Sequence, residues 1–135
     1  MRHANGGYKL GRSTAHRRAL LRNLSASVIE KNRIVTTLAK ARAVQPVVER
    51  MVTLGKVGSL AAKRRAFAFL FTRKSVQVLF DEVAPRFMDR AGGYTRIIKS
   101  DFRRGDGAET AILEFVDYQY TPKKTKKKET ATAKK

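Results

Sequence analysis

The sequence contains no cysteine. That excludes a disulfide framework and a thiolate metal site, and it suits a reducing compartment. No apolar run approaches the roughly 18 residues that span a bilayer. The start, Met1 to Lys9, lacks the apolar middle of a signal peptide. Histidine is limited to His3 and His16, and neither has a carboxylate nearby at ligand spacing. No serine sits in a nucleophile elbow, and no glycine-rich loop ends in Lys-Ser or Lys-Thr. Gly92-Gly93 lacks the strand before it and the helix after it that a dinucleotide loop needs. These absences point away from an enzyme, a metal site and a cofactor. The most telling scarcity is of acid: 11 Asp+Glu stand against 30 Lys+Arg, for a formal charge of +19.

What is present is enough apolar material for one domain with a modest core, 42% of 135 residues. A compact domain this basic repels itself, so a polyanion that relieves the repulsion is the expected partner. Pro122 to Lys135 hold seven lysines and one glutamate, which leaves +13 on the preceding residues. The body is therefore basic in its own right. The chain reads as a soluble, intracellular protein in three parts: a basic RNA-binding arm over 1–12, a globular α/β (α+β) domain over 13–120, and a disordered lysine-rich tail over 121–135.

The arm brings charge from Arg2, His3, Lys9 and Arg12, a ring from Tyr8, and glycines that leave it nothing to bury. The first acidic residue is Glu30, so six Lys/Arg precede it unopposed. Ser13 or Thr14 is placed to cap a helix to about Lys31, with Leu20, Leu21, Leu24 and Val28 as its apolar stripe. Arg18, Arg22 and Ser25 fall on another side, with His16 and Arg17 near the start. Without carboxylates, that basic row has no i,i+4 partners.

Arg33 to Thr37 reads as a short strand, followed by a helix from about Leu38 to Gly55. Pro46 is expected to kink or restart that helix. Ser59 caps a third helix with Lys63, Arg64 and Arg65 on its exposed side. A fourth opens at Thr72 or Ser75 and ends near Pro85. Asp81, Glu82 and Asp89 are within reach of Arg86 and Arg90 as surface pairs.

The centre of the sequence is Arg90-Ala91-Gly92-Gly93-Tyr94-Thr95-Arg96-Ile97-Ile98-Lys99. Its glycines permit φ > 0 or a close approach, and a strand follows. Arg90, Tyr94 and Arg96 together suit an RNA backbone with a base or sugar beside it. The bland alternative is a surface strand whose tyrosine packs on the core. A turn-rich loop carrying Arg103 and Arg104 leads to a second strand, Thr110 to Val116, and completes an antiparallel hairpin. Asp106 reads as a turn former rather than a metal ligand.

Several stretches now combine. Met1-Arg2-His3, Arg12, His16-Arg17, Thr36-Thr37 and Lys40-Ala41 form one half. Leu79-Phe80-Asp81-Glu82, Pro85-Arg86-Phe87, the Gly92-Gly93-Tyr94-Thr95-Arg96-Ile97 run, Gly105-Asp106-Gly107-Ala108 and Glu114-Phe115-Val116-Asp117 form the other. In that order and spacing, over about residues 1–117, they resemble the bacterial family of ribosomal protein seventeen of the large subunit. The resemblance implies a two-layer domain of helix, strand, three helices and two strands. It also implies a structural role: binding large-subunit ribosomal RNA on the solvent side near the peptide exit tunnel, beside neighbouring ribosomal proteins. An arm inserted between RNA segments carries over to Arg2, His3, Lys9, Arg12, His16 and Arg17. No small-molecule substrate, membrane or homo-oligomer in the assembled particle is implied. Pro46 and the tail from Pro122 depart from the shared pattern.

The expected mechanism is neutralisation and shape fit, with Tyr8 and Tyr94 as the rings to stack or brace. The main rival is a nucleoid-associated or other DNA-binding protein, which shares the charge; no recognition helix after a tight turn stands out. An RNA-processing enzyme and a membrane-surface binder acting through the tail are the others.

Overall fold

The computed structural model describes residues 7–119. Arg2, His3 and the tail 121–135 lie outside the described residues. Helix α1 (Thr14–Lys31) is entered from Ser13, whose hydroxyl accepts from the His16 amide at 3.5 Å. It ends on Asn32 in the left-handed region, φ 60°, where an Asn side chain is tolerated. The chain then forms strand β1 (Arg33–Thr37) and turns directly into helix α2 (Leu38–Val57).

Helix α2 is the spine. Leu38, Ala41, Val44, Val48, Met51, Val52 and Gly55 recur at helical spacing and are all buried. They meet the sheet on one side and the other helices on the other. The restart that Pro46 allowed does not occur: α2 runs unbroken from Leu38 to Val57. Pro46 is exposed, so the carbonyl it leaves unbonded, that of Arg42, lies on the wet side of the helix.

Gly58 rather than Gly55 is the left-handed cap, at φ 65°. Gly55 has a different task. A Cβ on it would lie 2.8 Å from the Ala84 Cβ, so its bare backbone lets α2 and the end of the fourth helical run approach closely.

Ser59 caps α3 (Leu60–Leu70) by accepting from the Ala62 amide at 3.2 Å. Helix α4 (Arg73–Val78) runs on through a π-helical segment, Leu79–Val83, into a last turn, Ala84–Arg86. Ser75 does not cap this helix. It is buried inside it and donates to Glu30 Oε1 at 2.6 Å, tying α4 to the end of α1. Ser25 is also a correction: it is fully buried beside Val28 and Ile29, not on the basic side. Because α1 packs against α2 as well as α3 and α4, more of its circumference is covered than one stripe.

Strands β2 (Thr95–Phe102) and β3 (Glu109–Phe115) make the hairpin, and β1 pairs with β3 from the other edge. The sheet is antiparallel throughout, in the order β1-β3-β2. The register pairs Ile34 and Ile97 with Leu113, and Thr95 with Phe115, on the face that α2 covers. Gln45 donates to the Thr95 carbonyl at 3.3 Å, and the Thr95 hydroxyl to Glu49 Oε1 at 3.0 Å. The observed domain is the α+β layer of helices on a small sheet that the residues imply.

Candidate nucleic-acid interface

The cations fall into two groups according to whether a carboxylate holds them. Arg18, Lys63, Arg64 and Arg65 are exposed, and Arg17 and Arg22 are half-buried, on the adjacent helices α1 and α3. Among the described residues, none of these six enters an ion pair. Arg22 bridges the two helices by lying over the Phe71 ring, 4.2 Å from its centroid, with Phe69 at 5.6 Å. Phe71 itself is 60% exposed and sits in the left-handed region, φ 61°, at the end of α3. A ring at that position is conformationally costly. The guanidinium stack lies over it.

Between α3 and α4 a groove of about 330 Å³ is lined by Lys63, Phe67, Arg73, Val76, Phe80 and, at one side, Asp81 and Gln77. Lys63 lies over the Phe80 ring at 5.6 Å, and Phe67 is 44% exposed. One helix face cannot hold all three of Phe67, Phe69 and Phe71, and nothing local marks Arg73. Which ones remain outside depends on the neighbouring helix.

In the described part of the arm, the Arg12 amide donates to the Lys9 carbonyl at 3.3 Å and forms a turn. The Arg12 side chain donates back to the Leu10 carbonyl at 2.8 Å. Tyr8 lines a recess of about 390 Å³ with Leu38, Arg42, Ala108 and Glu109, at the start of α2. His16 is exposed in the first turn of α1.

The glycine-containing centre behaves differently from its sequence reading. Gly93 needs its positive φ of 63°, but no atom lies within 4 Å of a Cβ at Gly92 or Gly93. Freedom of the chain, not a close approach, is what the pair supplies. Tyr94, expected as a ring for RNA, is 2% exposed and belongs to the core. Its ring centroid is 5.4 Å from that of Phe87. Alternation would group Tyr94 with Arg96 and Ile98, but β2 begins only at Thr95, and Tyr94, ahead of the strand, packs on Phe87 instead. Arg90 folds back to the Gly92 carbonyl at 3.1 Å, and Lys56 donates to the Arg90 carbonyl at 2.6 Å. The expected pairing of Arg86 with nearby acids is replaced by a bond to Asp117 at 3.3 Å and one to Asn32 at 2.6 Å.

Arg96 belongs to the carboxylate-held group. Its Nε and Nη2 both lie 2.7 Å from Glu114 Oε1, and Arg33 Nε lies 3.4 Å from Glu114 Oε2. Glu114, only 3% exposed, thus serves two guanidiniums across the three strands. Arg33 was missed in sequence because nothing local says that β1 lies against β3. At the hairpin loop Arg103 forks onto Asp106, whose oxygen also accepts from the Ala108 amide at 3.3 Å. The Arg103 bond, ahead of the Ala108 bond, lowers the Asp106 carboxyl to about 2. Asp106 is a turn former. Arg104 is exposed beside it.

Among the described residues no cluster of acids and histidines is arranged to hold a metal ion, and no helix is long and apolar enough to cross a membrane. The arrangement is one of exposed, unpaired cations on two helices of a packed body. The pattern of the family described as Ribosomal protein L17 matches residues 20–116. The large ribosomal subunit protein bL17 of Acidobacterium capsulatum is 57% identical over 116 residues, 86% of this chain and 72% of that one. The bL17 proteins of Thermodesulfovibrio yellowstonii and Desulfotalea psychrophila are 51% identical over 129 residues and 50% over 121. The first of these alignments covers 96% of this chain and 97% of its relative, the second 90% and 94%. With half or more of its residues identical to these relatives over most of its length, the chain belongs to the ribosomal protein L17 family.

Proposed function

We propose that this chain binds folded large-subunit ribosomal RNA through the α1–α3 side and the arm, and holds it by neutralising phosphates. Membership of the family makes the chain a structural, non-enzymatic constituent of the large ribosomal subunit. What carries the finer reading is one observation: six cations on two adjacent helices have no carboxylate partner among the described residues. Left alone they repel one another; against phosphate they release counterions and bind.

Arginine suits this work because its planar fork gives paired hydrogen bonds to a phosphate, where lysine acts as a point charge. Arg17, Arg18, Arg64 and Arg65 are the backbone contacts in this reading, with Lys63 and Arg73 at the α3–α4 groove. A-form RNA hides its base edges in a deep major groove, so recognition runs through phosphate, 2′-hydroxyl and unstacked bases. The rigid body orients the basic side, and Arg2, His3, Lys9 and Arg12 of the arm extend it between RNA segments. The position on the particle that fits the resemblance is the solvent side near the peptide exit tunnel, beside other ribosomal proteins. Family membership favours RNA over the nucleoid-associated alternative.

The test is sedimentation of the tagged chain from lysate, repeated after a high-salt wash. Retention with large subunits after the wash is the expected result. Release to the top of the gradient, or co-sedimentation with chromosomal DNA, would overturn the reading.

A further inference from the structure

The groove between α3 and α4 differs from the cationic surface beside it, because it is aromatic as well as basic. Phe67 and Phe80 line it with Val76, and Lys63 and Arg73 are its cations. Among the described residues neither cation enters an ion pair, and Asp81, in the same lining, enters none either. Phe67 is 44% exposed, and the Lys63 ammonium lies 5.6 Å from the Phe80 centroid. Phe80 and Asp81 belong to the π-helical segment, a distortion frequent at functional sites. The groove's volume, about 330 Å³, falls at the lower end of the roughly 300–1,000 Å³ of small-ligand sites.

We infer that this groove takes one unstacked base of the ribosomal RNA, a guanine. The inference rests on the RNA-binding reading above and names a subsite within it. A base inside a duplex shows a protein no face, whereas a base splayed from a loop or bulge does. Such a base needs a ring to lie against and cations for the phosphates beside it. The groove supplies both: Phe67 for the base, Lys63 and Arg73 for the phosphates. An acidic peptide would also meet these cations. RNA fits better because α3, one wall of the groove, carries Arg64 and Arg65 directly after Lys63 and packs beside α1. A phosphate chain entering the groove thus finds further unpaired cations on the same helix.

Asp81 and Gln77 select the base. A carboxylate repels phosphate, so its place in a phosphate-binding groove calls for a donor to face it. It accepts two hydrogen bonds side by side, and among the RNA bases guanine alone offers two adjacent N–H donors, at N1 and N2. The Gln77 amide has an N–H to give to guanine O6.

Filter binding of the full chain to large-subunit ribosomal RNA over a salt series tests the stack. Phe67→Leu keeps an apolar side chain at this exposed position and removes the ring. It should weaken binding about tenfold with the log–log salt slope unchanged, since a stacked ring releases no counterion. Full affinity in Phe67→Leu would overturn the inference. If Arg64→Ala in the same series still lowers the slope, the RNA-binding reading survives that failure. No effect from either substitution would overturn both. Ultraviolet cross-linking of assembled large subunits purified from cells, read by mass spectrometry, identifies the base. A guanosine adduct on Phe67 or Phe80 is expected, and an adduct with another nucleoside there would overturn the assignment to guanine.

Discussion

The α1–α3 side and the open face of the sheet both carry arginines, yet the arginines do opposite things. On the helices, Arg18, Arg64 and Arg65 stand in solvent with no carboxylate near, among the described residues. On the sheet, Arg33 and Arg96 are drawn onto the buried Glu114. An arginine already paired to a buried acid has spent most of its attraction inside the fold and has little left for a phosphate. Counting basic residues therefore overstates an RNA surface. In the RNA-binding reading proposed here, the unpaired ones define it.

The comparison breaks first, and by the largest effect, if the helical cations are removed. The triple substitution Arg18→Ala, Arg64→Ala and Arg65→Ala should weaken RNA binding roughly a hundredfold at moderate salt. It should also lower the log–log salt slope by up to about 2.7, at about 0.9 per phosphate contact. A filter-binding series over salt reads both. An unchanged slope would take these residues off the RNA.

The next test acts on the sheet. Glu114→Ala leaves Arg33 and Arg96 facing each other without their shared acid. Unfolding in urea should show a loss of about 2 kcal/mol, discounted from the fully buried case because Arg96 is half-exposed. Arg96→Ala, in contrast, should leave the RNA salt slope unchanged. A fall of about one would return Arg96 to the phosphate contacts that its sequence position suggested.

A smaller effect lies between the two regions, in α1. The Ser25 hydroxyl is buried without a hydrogen-bond partner. Ser25→Ala should raise stability by up to about 1 kcal/mol, seen as a higher melting temperature, with RNA binding unchanged.

The smallest effect is at the hairpin loop, where Asp106 tests whether Arg103 belongs with the paired or the unpaired cations. Its carboxyl is held down to about 2, chiefly by Arg103. A depressed carboxyl stabilises the turn fully above its unfolded value, near 4, and loses that contribution as pH falls toward about 2. A carbon-detected NMR titration should find the Asp106 midpoint near the lower figure. A midpoint near 4 would show Arg103 free to meet a phosphate.

Much of the frame was legible without coordinates because it is written in local signals. Ser13 and Ser59 precede helices and cap them through bonds to amides three residues on. The alternation in β3 sets Ala111, Leu113 and Phe115 on one side, and those three are buried. The family resemblance was legible too, because its motifs are contiguous. Tyr94 and Arg96 were harder. Two residues apart, they would share a face of a strand, but β2 begins only at Thr95, and Tyr94 ahead of it turns onto Phe87 in the core while Arg96 stays on the open face.

The sequence by itself determined that this chain is basic along its length and that two of its helices open on a capping serine. Those properties depend on composition and on contacts within a few residues. Tertiary structure alone decided that Glu114 sits between Arg33 and Arg96, that Gly55 serves a close approach to Ala84, and that Tyr94 belongs to the core. Each of these is a contact between segments far apart in the chain. Its partner is fixed by strand register and helix packing, which no short stretch of residues encodes.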